Sequence, residues 1–293
     1  MVPTFASYPS FMGITDNQLE NDIIIAGIPY DVGTSNRAGT RFGPCSVRLA
    51  SRMLIDGVNP GNWKSPTNLN ISDIGNLDIR LGDIEKSFKL IEDQCDKISN
   101  HLITIGGDHS ITLPILRSLK RKKRKPLALI HFDAHIDTWP DTFGNKWGHG
   151  SVFYHAINEN LVDPNKMIQI GIRSPVDKEI VDWTLDKGVT ILSSLDCHNM
   201  AIGQIVNIIK TVVQDYETYL SFDIDVIDPS QAPGTGTPEI GGLWTWQIQS
   251  IIRKLFDINF CGMDLVEVSP SYGHAELTSL AGASIIFEYI SLL

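Results

Sequence analysis

The sequence predicts an α/β protein built on a mainly parallel sheet. Short apolar runs of strand length alternate with longer amphipathic segments along all 293 residues. Strand, helix and strand in succession make βαβ units, which place their strands parallel. The runs are also apolar at consecutive positions rather than at every second one, as expected of strands covered by helices on both faces.

Taken in order, the predicted strands are 22–27 (DIIIAG), 101–106 (HLITIG), 126–132 (PLALIHF), 167–171 (MIQIG), 189–193 (VTILS), 218–223 (TYLSFD) and 260–266 (FCGMDLV). Between them fall predicted helices at 43–53, 83–99, 111–120, 177–186, 201–215, 245–255 and 277–290. The first helix opens at Gly43-Pro44, where proline suits the first turn because its missing N–H has no intrahelical partner there. No internal repeat or long linker interrupts the pattern, so residues 1–293 read as a single domain. Residues 120–125 (KRKKRK) fall between a helix and a strand and read as a solvated connecting loop rather than a phosphate site.

Composition narrows the function classes. With 34 acidic against 24 basic residues the formal net charge is −10, which argues against nonspecific nucleic-acid binding. Cys45, Cys95, Cys197 and Cys261 form no C-x-x-C pair and read as free thiols in a reducing cytoplasm. No basic-then-apolar leader pattern opens the chain, and no apolar run approaches the roughly 20 residues of a membrane span. Neither G-x-G-x-x-G after the first strand nor a phosphate-binding G-x-x-x-x-G-K-[ST] occurs.

Three segments carry the chemistry. They are Gly106-Gly107-Asp108-His109-Ser110, then His131-Phe132-Asp133-Ala134-His135-Ile136-Asp137, then Ser221-Phe222-Asp223-Ile224-Asp225. Each closes or follows a predicted buried strand, where carboxylates and imidazoles are costly unless compensated. In open α/β sheets ligands sit beyond the carboxyl ends of the strands. Residues i and i+2 of a strand share a face, which relates Asp133 to His135 and Asp223 to Asp225, with Asp137 continuing the parity. With His109 these make six oxygen or nitrogen donors. The set suits Mn²⁺ or a similar ion and lacks the thiolates of structural zinc. Six donors exceed what one open site needs, so a pair of ions fits better. Such a pair lies about 3.5–4 Å apart and lowers the pKa of a shared water from about 15.7 toward neutrality.

A lone D-x-D at a strand end is often a cap or turn, but three such segments in one chain make that reading unconvincing. Two divalent ions, four carboxylates and a hydroxide sum to a net negative core. Glu267, at the end of CGMDLVEV, adds to it. That favours a cationic substrate, and a guanidinium pairs well with a carboxylate. His149, in Trp147-Gly148-His149-Gly150-Ser151, reads as a proton shuttle. His131 reads equally as a donor to the site or as strand-end packing, and His101, His155, His198 and His274 as surface or packing residues.

In order along the chain, GIPYDVGTSNRAGTRFGP, IGGDHS, HFDAHID, GHGSVF, SFDIDVIDPSQAPGTGTPEIGGL and MDLVEVSP resemble the motifs of the ureohydrolases, which comprise arginases, agmatinases and related guanidino-acid hydrolases. The resemblance covers nearly the whole chain. It implies a three-layer α/β/α fold around an eight-stranded parallel sheet, a dinuclear centre usually of manganese, and a trimer or hexamer. By the same resemblance His109, Asp133, Asp137 and Asp223 hold one ion. His135, Asp133, Asp223 and Asp225 hold the other, with Asp133 and Asp223 bridging. His149 corresponds to the shuttle and Glu267 to the guanidinium-orienting glutamate. The implied reaction is attack of hydroxide on the guanidino carbon, releasing urea and an amine.

The HFDAH and APGTGTPE forms look more like the agmatinase branch. Where arginases carry an asparagine that reads the substrate carboxylate, this chain has Trp139. The expected substrate is therefore agmatine, then guanidinobutyrate or guanidinopropionate, then guanidine. Trp139, Lys146 and Trp244 are the expected specificity residues, with Trp147 and Trp246 beside them. Ni²⁺, Co²⁺ and Fe²⁺ accept the same donors as Mn²⁺. The rivals are a single-zinc deacetylase and a non-catalytic metal-bound subunit.

Overall fold

The computed structural model describes residues 9–54 and 58–293. The reading of the N-terminus as free of a leader pattern rests in part on residues 1–8, which lie outside that range. Eight parallel strands form one sheet: β1 (Ile23–Ile28), β2 (Ile71–Asn76), β3 (His101–Gly106), β4 (Leu127–Phe132), β5 (Val162–Ile172), β6 (Thr190–Ser193), β7 (Thr218–Asp223) and β8 (Phe260–Val266). Their lateral order is β2-β1-β3-β8-β7-β4-β5-β6. The helices are α1 (Gly43–Ser51), α2 (Ile84–Cys95), α3 (Thr112–Lys123), α4 (Val152–Asn158), α5 (Lys178–Asp186), α6 (Ser194–Asn199), α7 (Ile202–Val213), α8 (Thr245–Ile252) and α9 (Leu277–Ile290).

The strand pleat divides the interior into two cores. Ile23 and Ile25 of β1, with Ala128, Ile130 and Phe132 of β4, face one core with side chains of α1, α7, α8 and α9. Ile24 and Ala26, with Leu127 and Leu129, face the other with α2, α3 and α4. Each buried aliphatic side chain contributes about 1.5–3 kcal/mol. Double-sided burial is why the strands read as unbroken apolar runs. Among the described residues no helix is long and apolar enough to cross a membrane.

Three elements escape the sequence pattern. β2 (ISDIGN) is a sheet edge carrying a buried Asp73, which Arg48 of α1 satisfies through Nε and Nη2 at 2.8 Å each. The short helices α4 and α6 offer too few turns to display a period. The basic run is also not a free loop. α3 continues to Lys123 and ends at Arg124 in the left-handed region. Arg121 pairs with Glu92 at 3.0 Å and Asp96 at 2.9 Å, Lys122 donates to the carbonyls of Cys95 and Ile98, and Lys123 pairs with Glu217. These cations complement the carboxyl end of their own helix and fasten it to α2 and to the residue that precedes β7.

The sheet order positions the chemistry. β3, β8, β7 and β4 are adjacent at the centre, and Phe132 lies opposite Phe222 while Asp223 lies opposite Val266. His109, Glu267, Asp223 and Asp133 therefore leave neighbouring strands at the same edge.

Candidate active site

The residues converge by loop geometry rather than by strand parity. β4 stops at Phe132, so Asp133 to Asp137 lie beyond the sheet, and Asp137 turns into the left-handed region at φ 50°. β7 ends at Asp223, and Asp225 belongs to a 3₁₀ turn, Ile224–Val226. His109 opens another such turn, His109–Ile111.

His109 is fully buried, and its Nδ1 faces three carboxylates: Asp137 Oδ2 at 3.0 Å, Asp133 Oδ2 at 3.2 Å and Asp223 Oδ2 at 3.2 Å. The other ring nitrogen, Nε2, meets Ser221 Oγ at 2.8 Å. That hydroxyl donates to Asp264 at 2.7 Å, so it accepts from Nε2–H. That leaves Nδ1, a lone-pair donor whenever the ring is neutral, facing three carboxylates, and it has no hydrogen-bond partner. Buried acceptors crowded on one point demand a cation. The residues present fit a metal ion.

A second group adjoins the first. His135 Nδ1 stands 3.0 Å from Asp225 Oδ2 and 3.3 Å from Asp133 Oδ1. Asp133 thus presents one oxygen to each histidine, the arrangement a bridging ligand needs. Asp223 has one oxygen in place, since its Oδ1 accepts the Asp225 amide at 2.9 Å.

Protonation follows the crowding. Burial lowers the pKa of His109 and of His135, but the neighbouring carboxylates outweigh it and hold both well above the ordinary imidazole value. Burial and then Asp225 and Asp133 push Asp223 well up. Burial also raises Asp133, yet His131, His109 and His135 hold it well below the usual carboxylate range.

His131 is a donor to the site. Its Nε2 meets Asp133 Oδ2 at 2.8 Å, while Nδ1 faces the Gln169 amide nitrogen at 3.1 Å. Of the remaining histidines, His101, His155 and His198 each hold one hydrogen bond away from the site, and His274 is exposed. Arg173 donates to the carbonyls of Asp225 at 2.7 Å and Glu239 at 2.6 Å, tying two site loops together.

His149 and Glu267 form a buried pair, Nδ1 to Oε1 at 2.8 Å. Glu267 Oε1 also accepts the His109 amide at 2.9 Å, and Oε2 is buried without a partner. Burial lowers the His149 pKa, but Glu267 dominates and pushes it up to about 9.

Above these groups lies a cavity of about 940 Å³. Trp139 and His135, Asp137, His149 and Asp223 line it. Lys146 and Trp244, expected at the mouth, do not. The Lys146 ammonium rests 4.3 Å from the centroid of the Trp147 ring, and that ring packs edge-on to Phe88 of α2. Trp244 precedes α8, with its amide on Gln247 Oε1, and is 44% exposed. Loop paths, which local sequence does not encode, carry both away. The mouth instead gathers Arg37, Asp141, Phe143, Asp177 and Glu239 from four separate loops; Arg37 and Glu239 lie within the GTSNRAG and APGTGTPE motifs, whereas Asp141, Phe143 and Asp177 carry no motif. Gln169 had a faint signal, as the lone polar residue inside MIQIG.

The arginase family model matches residues 21–291. A guanidinobutyrase of Pseudomonas aeruginosa is 41% identical over 277 residues, 93% of this chain and 86% of that protein. An agmatinase of Klebsiella pneumoniae is 39% identical over 284 residues, 95% of this chain and 90% of that protein. The structure of proclavaminate amidino hydrolase from Streptomyces clavuligerus superposes with a TM-score of 0.93 at 34% identity, covering 99% of this chain and 98% of the other. With the eight-stranded fold and the histidine–carboxylate cluster already described, these likenesses establish that the chain belongs to the arginase family, as a hydrolase of amidino C–N bonds.

Proposed function

We propose that this protein hydrolyses agmatine to putrescine and urea. The observation that carries the choice of substrate is the charge of the cavity mouth. Beyond the candidate metal ligands it holds three carboxylates, Asp141, Asp177 and Glu239, against one cation, Arg37. Arg37 is moreover drawn aside, its guanidinium carbon 4.9 Å from the centroid of the Tyr272 ring. An ammonium tail is favoured there over a carboxylate tail.

His109, Asp133, Asp137 and Asp223 would hold one divalent ion, and His135, Asp133, Asp223 and Asp225 a second, with Mn²⁺ our assignment. Such a pair supplies a water whose pKa is lowered toward neutrality. The remaining roles belong to the chain. Glu267 Oε2, buried and unpartnered, accepts an N–H of the guanidinium and orients its carbon. His149 relays a proton to the departing amine, and Glu267 stabilises its cationic form. Trp139 forms an aromatic wall for the alkyl chain.

Arg37 supports a second reading, a guanidino acid such as guanidinobutyrate, since it is the one cation lining the mouth among the described residues. Urea release from agmatine, guanidinobutyrate, guanidinopropionate and guanidine by the Mn²⁺-loaded protein decides between them. A kcat/KM highest for agmatine is expected, a preference for a guanidino acid reverses the assignment, and no urea from any compound refutes the hydrolase mechanism.

We also assign a homo-oligomer, a hexamer or trimer, which the exposed Ile240, Trp244 and Trp246 support; light scattering tests it. Four free thiols suit a reducing cytoplasm.

A further inference from the structure

His149 sits almost out of reach of the cavity it serves, 9% exposed, whereas Ser35 is exposed and lines that cavity. Two contacts join them. His149 Nε2 lies 2.7 Å from Ser35 Oγ and 3.1 Å from the Ser35 backbone nitrogen. An amide N–H can only donate, so whenever the ring is neutral Nε2 is its lone-pair nitrogen. The ring proton is then on Nδ1, where Glu267 Oε1 accepts it at 2.8 Å. One tautomer satisfies both neighbours.

The loop carrying Ser35 is held for this purpose. Gly33 N–H donates to buried Asp108 at 2.7 Å, and Gly33 carbonyl accepts the His149 amide at 2.9 Å. Gly39 N–H donates to Asp31 at 2.9 Å, and Arg41 Nε donates to the same carboxylate at 2.7 Å. A side chain at position 33 would come within 2.7 Å of Ser110 Oγ, so only glycine permits the approach. Ser35 stands between two anchors, and its placement over Nε2 is set before substrate arrives.

We propose that Ser35 is a positioning residue for proton transfer, keeping His149 Nε2 as the accepting nitrogen and linking it to the cavity through Oγ. This rests on the hydrolase reading above. Ser35 O–H gives its proton to Nε2 as Oγ takes one from the attacking water. The reverse exchange delivers a proton to the amine nitrogen as the C–N bond breaks. Serine and histidine return to their starting states, and the net change is one proton moved from water to the amine. While Nε2 carries the proton it faces the Ser35 amide N–H, which favours its return.

Kinetics of Ser35→Ala and Ser35→Thr test the relay. Removing the hydroxyl is expected to lower kcat by about 10- to 100-fold with KM within about twofold, and threonine to restore most of it. An unchanged kcat in the alanine variant, or an equal loss in both, overturns the proposal. Nitrogen-15 histidine spectra of protein loaded with diamagnetic Zn²⁺ test the positioning. Recorded above pH 9, where the ring is neutral, the signals lost in His149→Asn should show an Nδ1–H and a bare Nε2. An Nε2–H on the neutral ring of the wild type overturns the tautomer, and this holds whether or not the protein releases urea, so failure of the hydrolase reading is told apart.

Discussion

Gln169 orients His131 from the far side of the histidine–carboxylate cluster. The Gln169 amide nitrogen donates to the Ile136 carbonyl at 2.6 Å, which fixes which end of the amide carries hydrogen, and it lies 3.1 Å from His131 Nδ1. His131 Nε2 must then carry the proton offered to Asp133 at 2.8 Å. His131 is held as a donor to the carboxylate shared by both donor groups. Outer partners of this kind typically alter metal affinity by about 10- to 100-fold. Gln169→Leu and His131→Phe should each weaken Mn²⁺ binding on that scale, as read by calorimetry. Wild-type affinity in both would show that Asp133 needs no such support.

Asp133 faces His109 with one oxygen and His135 with the other. Asp133→Asn should abolish urea release and most metal binding, because an amide cannot offer two anionic oxygens. Chelation of the wild type should likewise abolish activity, with recovery on adding Mn²⁺. Retention of two ions per chain by the variant in elemental analysis would remove Asp133 from the bridging role.

Asp177 and Arg37 face the same cavity with opposite charge. Both are exposed, so each effect is screened and should be modest, about 3- to 10-fold in kcat/KM. Asp177→Asn should raise KM for agmatine and spare guanidinobutyrate, whereas Arg37→Ala should do the reverse. Equal changes for both substrates would mean that neither residue reads the tail.

Arg173 is a half-buried cation satisfied by backbone carbonyls at Gly171, Asp225, Val226, Glu239 and Ile240. Burial lowers its pKa, and Asp225 and Asp133 act against that. Arg173→Met leaves several carbonyls without donors and should cost about 3 kcal/mol in denaturant unfolding. Loss of metal binding at His135 and Asp225 should accompany it.

His101 supplies a pH test remote from the metal ligands. Burial pushes its pKa down from 6.5 to about 4, with Lys123 adding to the effect, and its Nε2 contacts Tyr289 at 2.9 Å. Below pH 6.5 the unfolded chain binds a proton that the folded one refuses. Its contribution is therefore fully present above 6.5 and is lost as pH falls toward 4. In the metal-free protein, wild type should lose more stability across that window than His101→Gln. Parallel stability curves would exclude this residue as the cause.

Local sequence by itself determined the sheet, its covering helices and the chemistry. Double-sided burial writes a strand as an unbroken apolar run, and the cost of burying charge makes carboxylates and imidazoles conspicuous at the ends of such runs. Hence β4, β7 and the six candidate ligands were legible without coordinates, while β2 was hidden by the Asp73 that Arg48 satisfies from another element. Tertiary structure alone decided which atoms meet. It gave each oxygen of Asp133 a different histidine, set Ser35 against His149, and gathered Arg37, Asp141, Asp177 and Glu239 at the mouth. It also carried Lys146 and Trp244 away from it. Periodicity and burial are properties of neighbouring residues, whereas these meetings depend on strand order and loop paths, which are set by contacts far apart along the chain.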